Sequence, residues 1–376
     1  MQEVRSGHAP THAGDGLTVP TAVSAKPGVR VPLDRIDVHT HILPPSWPDL
    51  RARFGYGGWP QLEPFGPRRA RIVIDERVFR EVGDDCWDPA RRLEDCDRTG
   101  VRLQVLSTVP VMFAYDKPAV DAAAVARLLN DHLAGVVADR PDRFAGLGTI
   151  PLQDPDLAIA ELERCVGQLG LAGVQIGTHV ADRDLDDPGL EAVLAAAGSL
   201  GAAVFVHPWD MLSPERMTRH WLPWLVGMPA ELALAIASVV LGGVLDRQPD
   251  LRILFAHGGG AFPGLLGRVE AGFHARPDLA ATATSTEPRD AIRRIYVDSL
   301  VHDPDTLRFV AGIVGEDRVA LGTDYPFPLG EAIPGETIDA LTELSPAARE
   351  RMLTGTALGF LGRPVRSSDA QPATAR

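Results

Sequence analysis

Residues 35–41, Arg35-Ile36-Asp37-Val38-His39-Thr40-His41, read as a short strand running into two histidines one residue apart. Side chains two positions apart on a strand point to the same face, so both imidazoles can reach one point at the strand's carboxyl end. Seven further β-branched or apolar runs follow, at 103–108, 145–150, 174–177, 203–206, 252–256, 295–298 and 319–322. Between them lie segments with apolar residues at helical spacing, at 120–138, 155–169, 188–200, 232–247, 261–275 and 304–314. Eight strands alternating with helices are the signature of repeated βα units, so the expected fold is α/β, a (β/α)8 TIM barrel. Residues 43–87 break the pattern: this stretch is rich in Gly, Pro and aromatics, with one strand-like piece at 71–79. It is expected to be a small insertion after the first strand, lying over the barrel mouth.

Active sites of such barrels sit at the carboxyl ends of the strands, which gives weight to the polar residues found there. The fifth strand runs Ala203-Val204-Phe205-Val206 into His207, and the eighth runs Leu321-Gly322-Thr323 into Asp324. Taken singly, His207 fits a core histidine and Asp324 a helix cap. Together with His39 and His41 they form a three-histidine, one-carboxylate set suited to one divalent ion, zinc above all, with iron, cobalt or manganese as alternatives. The sixth strand ends in His257, followed by Gly258-Gly259-Gly260; it could serve a second metal or act as a general base. A binuclear centre of this type usually needs a carboxylated lysine after the fourth strand. The sequence there is Val174-Gln175-Ile176-Gly177-Thr178-His179, and the only lysines are Lys26 and Lys117. One metal is therefore expected, with His257 in the acid–base role. His179 is either a supporting residue or a plain loop residue.

Composition narrows the classes. The chain has 376 residues, 45% hydrophobic and 23% charged, enough for one large core. Residues 1–33 lack aromatics and read as a flexible extension, residues 34–363 as the barrel domain, and residues 364–376 as a second loose tail. The net charge of −13 argues against nucleic-acid binding. The apolar run at 232–245 would span only about 21 Å as a helix, which fits a core helix better than a membrane span. Three cysteines without a CxxC pair suit the reducing cytoplasm.

Longer strings carry a resemblance. They include His39-Thr40-His41-Ile42-Leu43-Pro44, Arg53-Phe54-Gly55-Tyr56-Gly57-Gly58-Trp59, Val206-His207-Pro208-Trp209-Asp210-Met211, the run from Trp221 to Glu231, His257-Gly258-Gly259-Gly260-Ala261-Phe262-Pro263, and the run from Leu321 to Glu331. On these the chain resembles the 2-amino-3-carboxymuconate-6-semialdehyde decarboxylases, metal-dependent decarboxylases of the amidohydrolase superfamily, over about residues 34–363. The resemblance implies loss of CO2 from that substrate to give 2-aminomuconate-6-semialdehyde, in tryptophan–kynurenine catabolism. It implies that His39, His41, His207 and Asp324 hold the metal and that His257 activates water. It implies that Arg80 and Arg268 bind substrate carboxylates, Arg268 in the neighbouring subunit's site of a homodimer. Trp224 and Phe327 are expected to wall the pocket, although buried aromatics are more often plain core. Relatives carry a lysine near the position of Ile74; this chain has none there, and Arg71 or Arg77 are candidates to replace it. The rivals are a metal-dependent hydrolase of an ester, lactone or amide on the same fold, a decarboxylase of a related aromatic acid, and a barrel retained only for binding.

Overall fold

The computed structural model describes residues 34–362. The two tails expected at 1–33 and 364–376 lie outside these residues. Eight parallel strands form one sheet in chain order: β1 (Arg35–Ile42), β2 (Val101–Thr108), β3 (Phe144–Thr149), β4 (Gly173–Ile176), β5 (Ala203–Val206), β6 (Arg252–Phe255), β7 (Tyr296–Asp298) and β8 (Val319–Ala320). The sheet closes between its last strand and its first. Val38 N–H donates to Leu321 O at 2.9 Å, Asp324 N–H to His39 O at 2.8 Å, and His41 N–H to Tyr325 O at 2.8 Å. Three of the four expected metal ligands therefore lie on the closing seam.

Alternation along the strands divides the core in two. Val204, Val206, Ile253 and Phe255 face outward against helix residues such as Leu162, Leu190, Leu232 and Ile236. Their neighbours Ala203, Phe205, Leu254 and Ala256 join Val105, Leu147, Ala320, Ala357 and Phe360 inside the barrel. Four of the outer helices begin with the same dipeptide, Asp-Pro, at 88–89, 154–155, 187–188 and 303–304. In each the aspartate accepts from an amide of the first turn, and proline occupies a position whose N–H would have no partner. The first of these helices, Pro89–Thr99, completes the first βα unit; it is dominated by charged residues and has too few apolar ones to stand out in the sequence.

Two expected elements differ in detail. The stretch 71–79 is not one strand: Arg69–Ile74 and Arg77–Gly83 are antiparallel neighbours joined by a tight turn, with Pro60–Gly66 as the third strand of a small sheet. Asp75 and Glu76 both adopt left-handed backbone, at φ 46° and 66°, without the Asn-Gly signature that usually marks such turns. The helix expected at 232–247 also breaks, into Met228–Leu241 and Val244–Arg247. Gly243 takes φ 70° there, and a Cβ on Gly242 would sit 2.5 Å from Cβ of Asp186, so the neighbouring loop passes where a continuous helix would put a side chain. The apolar segment Pro223–Leu241 has the length and hydropathy (1.9) of a membrane span, yet half of it is buried inside this fold. It is a barrel helix, as expected.

Candidate metal centre and substrate pocket

The tautomers of the three histidines follow from their outer neighbours. His41 Nδ1 lies 2.9 Å from Thr108 O and His207 Nδ1 3.0 Å from Pro208 O; a carbonyl only accepts, so both Nδ1 atoms carry the proton. His39 Nδ1 donates to the buried carboxylate of Asp298 at 2.7 Å. His41 and His207 are thus left with a bare Nε2 facing inward, and His39 presents the same atom once its ring is neutral. His39 Nε2 and His41 Nε2 stand 3.2 Å apart, and Asp324 Oδ1 is 3.4 and 3.1 Å from them. His207 Nε2 is buried with no hydrogen-bond partner. The four ligand atoms lie within 4.8 Å of one another.

Lone pairs brought this close, with one orphaned in a buried place, fit a cation and disfavour every arrangement without positive charge. The electrostatics of the bare protein agree. Burial alone would lower the pKa of His39, but the carboxylates of Asp298 and Asp324 outweigh it and lift that ring to about 10. Burial likewise opposes ionisation of Asp324, and His39 and His41 overcome it, holding the acid well below its ordinary value. Burial drives His41 and His207 the other way, down. A proton on His39 supplies the positive charge that the constellation asks for.

His257 lies beside this set, its ring 5.1 Å from those of His39 and His207, with Nε2 4.0 Å from the second oxygen of Asp324. Burial first, then the charge on His39, lowers its pKa to about 4, so the ring is neutral and able to accept a proton. Its backbone is left-handed at φ 53° and is followed by Gly258 at φ 64°, where a Cβ would lie 2.3 Å from Cγ1 of Val301.

Asp298, which sequence reading did not single out, organises both histidines. Besides His39 Nδ1 it accepts from the amides of His257 (2.9 Å), Gly258 (2.9 Å) and Leu300 (3.1 Å). Its signal was available: it is the one charged residue at the end of β7. Asp37 ties the seam from below, accepting from Thr323 Oγ1 at 2.6 Å and from the amides of Thr323 and His39 at 3.1 Å. Arg92, fully buried, donates to His41 O at 2.7 Å and lies over the Tyr325 ring.

The insertion brings Arg80 to the same mouth. Its strand pairing jumps from Ile72↔Arg80 to Val73↔Val78, a bulge at Phe79 that re-aims the adjacent side chains. The Arg80 guanidinium sits 4.7 Å from the Phe327 ring, 5.6 Å from Trp224 and 5.8 Å from Phe79. Phe327 in turn lies 5.5 Å from the His41 ring. Among the described residues Arg80 has no carboxylate within ion-pair distance, and burial lowers its pKa. Trp224, Phe327 and Arg80 thus converge. Arg71 does not join them: it is paired with Glu81 at 3.1 Å and lies over Phe65, while Arg77 is exposed beside the turn. Arg268 is not in this site either; it is exposed on the helix Phe262–Ala275.

The amidohydrolase family model matches residues 36–363. The chain belongs to the amidohydrolase family. It is 51% identical over 328 residues to the 2-amino-3-carboxymuconate-6-semialdehyde decarboxylase of Dictyostelium discoideum, covering 87% of this chain and 91% of that one. That likeness puts it in the same decarboxylase group. Among solved structures, 5-carboxyvanillate decarboxylase from Sphingomonas paucimobilis matches with a TM-score of 0.74 and 26% identity, over 88% of this chain and 100% of that one. The 5-carboxyvanillate decarboxylase of Novosphingobium aromaticivorans, solved with manganese, matches with a TM-score of 0.66 and 25% identity, over 74% and 82%.

Proposed function

We propose that this protein is a metal-dependent, non-oxidative decarboxylase of 2-amino-3-carboxymuconate-6-semialdehyde, yielding 2-aminomuconate-6-semialdehyde and CO2 in tryptophan–kynurenine catabolism. The observation that carries the reading is the Arg80 guanidinium, without an ion-pair partner among the described residues and clamped among three aromatic rings beside the His39–His41–His207–Asp324 cluster. A small dianion needs a cationic fork at one end and a charge-stabilising centre at the other, and the 51% identity to a decarboxylase of that substrate names the dianion.

Zinc on the four ligands would supply Lewis acidity, stabilising negative charge as the carbon–carboxylate bond breaks. Arg80 grips a carboxylate through two parallel N–H donors and fixes the orientation. Phe327 and Trp224 exclude water from that pair. As CO2 leaves, the bonding electrons stay on carbon, and His257 moves the proton that this carbon takes up. Asp298 and Asp37 hold the ring of His39 and the seam beneath it in place.

The working unit on this reading is a homodimer in which Arg268 serves the neighbouring site. It has no ion-pair partner among the described residues and sits beside Leu265, 42% exposed, and Gly264 and Gly267, where a Cβ would meet nothing within 4 Å. A charged side chain on so flat a face is free to reach a second chain. Cys86, Cys96 and Cys165 are buried and unpaired, which suits a cytoplasmic enzyme. The structural likeness to 5-carboxyvanillate decarboxylase favours one second reading, a decarboxylase of an aromatic acid. Turnover on the muconate semialdehyde, 5-carboxyvanillate and a panel of esters and lactones separates the readings. We expect CO2 from the first; ester or lactone cleavage without CO2 from any acid would establish the hydrolase instead.

A further inference from the structure

Outside the metal centre, a second charged cluster, half-buried around the one buried carboxylate of Glu231, joins the loops after β4 and β5 to the helix Met228–Leu241. At its middle is His179, whose ring meets two carbonyls: Nδ1 lies 2.9 Å from Ala181 O and Nε2 3.0 Å from Asp210 O. Carbonyls only accept, so both contacts are hydrogen bonds only if both ring nitrogens carry protons. The counter-charge is present. Glu231, 3% exposed, places Oε2 3.7 Å from His179 Nε2. Both carbonyls come from residues in the left-handed region, Ala181 at φ 53° and Asp210 at φ 58°. Such backbone is disfavoured for residues with a side chain and persists only where surroundings hold it.

The gripped loop leads to the substrate pocket. Met211, next to Asp210, packs against Gly227 so closely that a Cβ there would lie 2.8 Å from its Cγ. Gly227 ends the turn Pro223–Gly227, which carries Trp224 to 5.6 Å from the Arg80 guanidinium. Trp209, just before Asp210, packs on Phe79 at 6.0 Å. Asp210 is thus held from one side by His179, with Glu231 behind the ring, and the pocket wall hangs from the other.

We propose that His179 is a positioning residue acting as an imidazolium strap: with Glu231 it fixes the 207–212 loop and, through it, the Trp224 and Trp209 wall that confines the substrate carboxylate against Arg80. This rests on the decarboxylase reading above for its substrate and for Arg80 as the carboxylate anchor. The charged groups that face the ring are Glu231, Asp210 and Asp184, with Asp186 behind Asp184 and Asp116 and Lys117 beyond Asp210. All but Lys117 favour the imidazolium. Deprotonation at rising pH removes one of the two donors and frees a carbonyl, so substrate affinity should fall on the alkaline side while chemistry at the metal continues.

The test uses the metal-loaded enzyme. Nitrogen-15 NMR of histidine-labelled protein should show the His179 ring doubly protonated at neutral pH, assigned by its absence in His179→Gln or its shift in Glu231→Gln. His179→Gln, which cannot reach both carbonyls from one atom, should raise KM about tenfold, keep kcat and metal content, and lose the alkaline rise in KM. Glu231→Gln should move that rise to lower pH. A neutral ring, an unchanged KM in His179→Gln, or loss of metal from it would overturn the proposal. Should the wild type release no CO2 from the muconate semialdehyde, the functional reading fails, and the NMR state of the ring still decides for or against the strap.

Discussion

Replacing Arg80 by alanine removes the one cation that the insertion delivers to the mouth of the site. Its guanidinium is enclosed by Phe327, Trp224 and Phe79 at 4.7, 5.6 and 5.8 Å and has no carboxylate partner among the described residues, so nothing in the free enzyme is left unpaired by its loss. The whole effect should therefore fall on substrate. Truncating one partner of a desolvated charge pair costs about 2–5 kcal/mol. Converted at 1.36 kcal/mol per decade, kcat/KM should drop by about 30-fold to several thousand-fold. Arg80→Lys keeps a charge but not the fork and should recover only part of this. The assay follows the decay of the semialdehyde's near-ultraviolet absorbance, with metal content measured on the same samples. A drop in kcat/KM below about fivefold in Arg80→Ala, with metal retained, would refute the assignment of Arg80 as the carboxylate anchor.

Three further outcomes are expected. His257→Asn should retain its metal and lose about 10²-fold in turnover, because the ring lies beside the ligand set without belonging to it; loss of metal would make it a ligand. Arg268→Ala and His257→Ala, each nearly inactive, should recover about a quarter of wild-type activity when their subunits exchange at random, since half the dimers are mixed and each has one intact site. Verified exchange without recovery would rule out action in trans. Metal binding to the bare protein should release a proton at pH 8, because His39 is held protonated up to about 10 and must be neutral to ligate. Calorimetry in buffers of different ionisation enthalpy reads this directly, and affinity should weaken as pH falls; a buffer-independent enthalpy would contradict it.

Much of this was legible in the sequence for local reasons. A barrel strand announces itself by a β-branched run, and a candidate site residue by its place just after one, so the cluster of His39, His41, His207 and Asp324, with His257 beside it, could be anticipated from order along the chain. What escaped depends on partners distant in sequence. Asp298 matters because it lies under His39 and His257, 259 and 41 residues away. Arg92 is buried because His41 O at the end of β1 and the Tyr325 ring after β8 meet it from distant parts of the chain. The Asp75-Glu76 turn holds left-handed residues that local preference does not favour, and tertiary packing prevails there. His179 could not be classified from sequence because its significance lies in two carbonyls, one of them 31 residues on.

The central claim is that one ion on His39, His41, His207 and Asp324 is required for release of CO2. Chelated, refolding-free enzyme should be inactive on 2-amino-3-carboxymuconate-6-semialdehyde, and titration with Zn2+ should restore CO2 release linearly to a break at about one equivalent per chain, with no such recovery in Asp324→Ala. A break at two equivalents, or full CO2 release after complete removal of metal, would contradict the account.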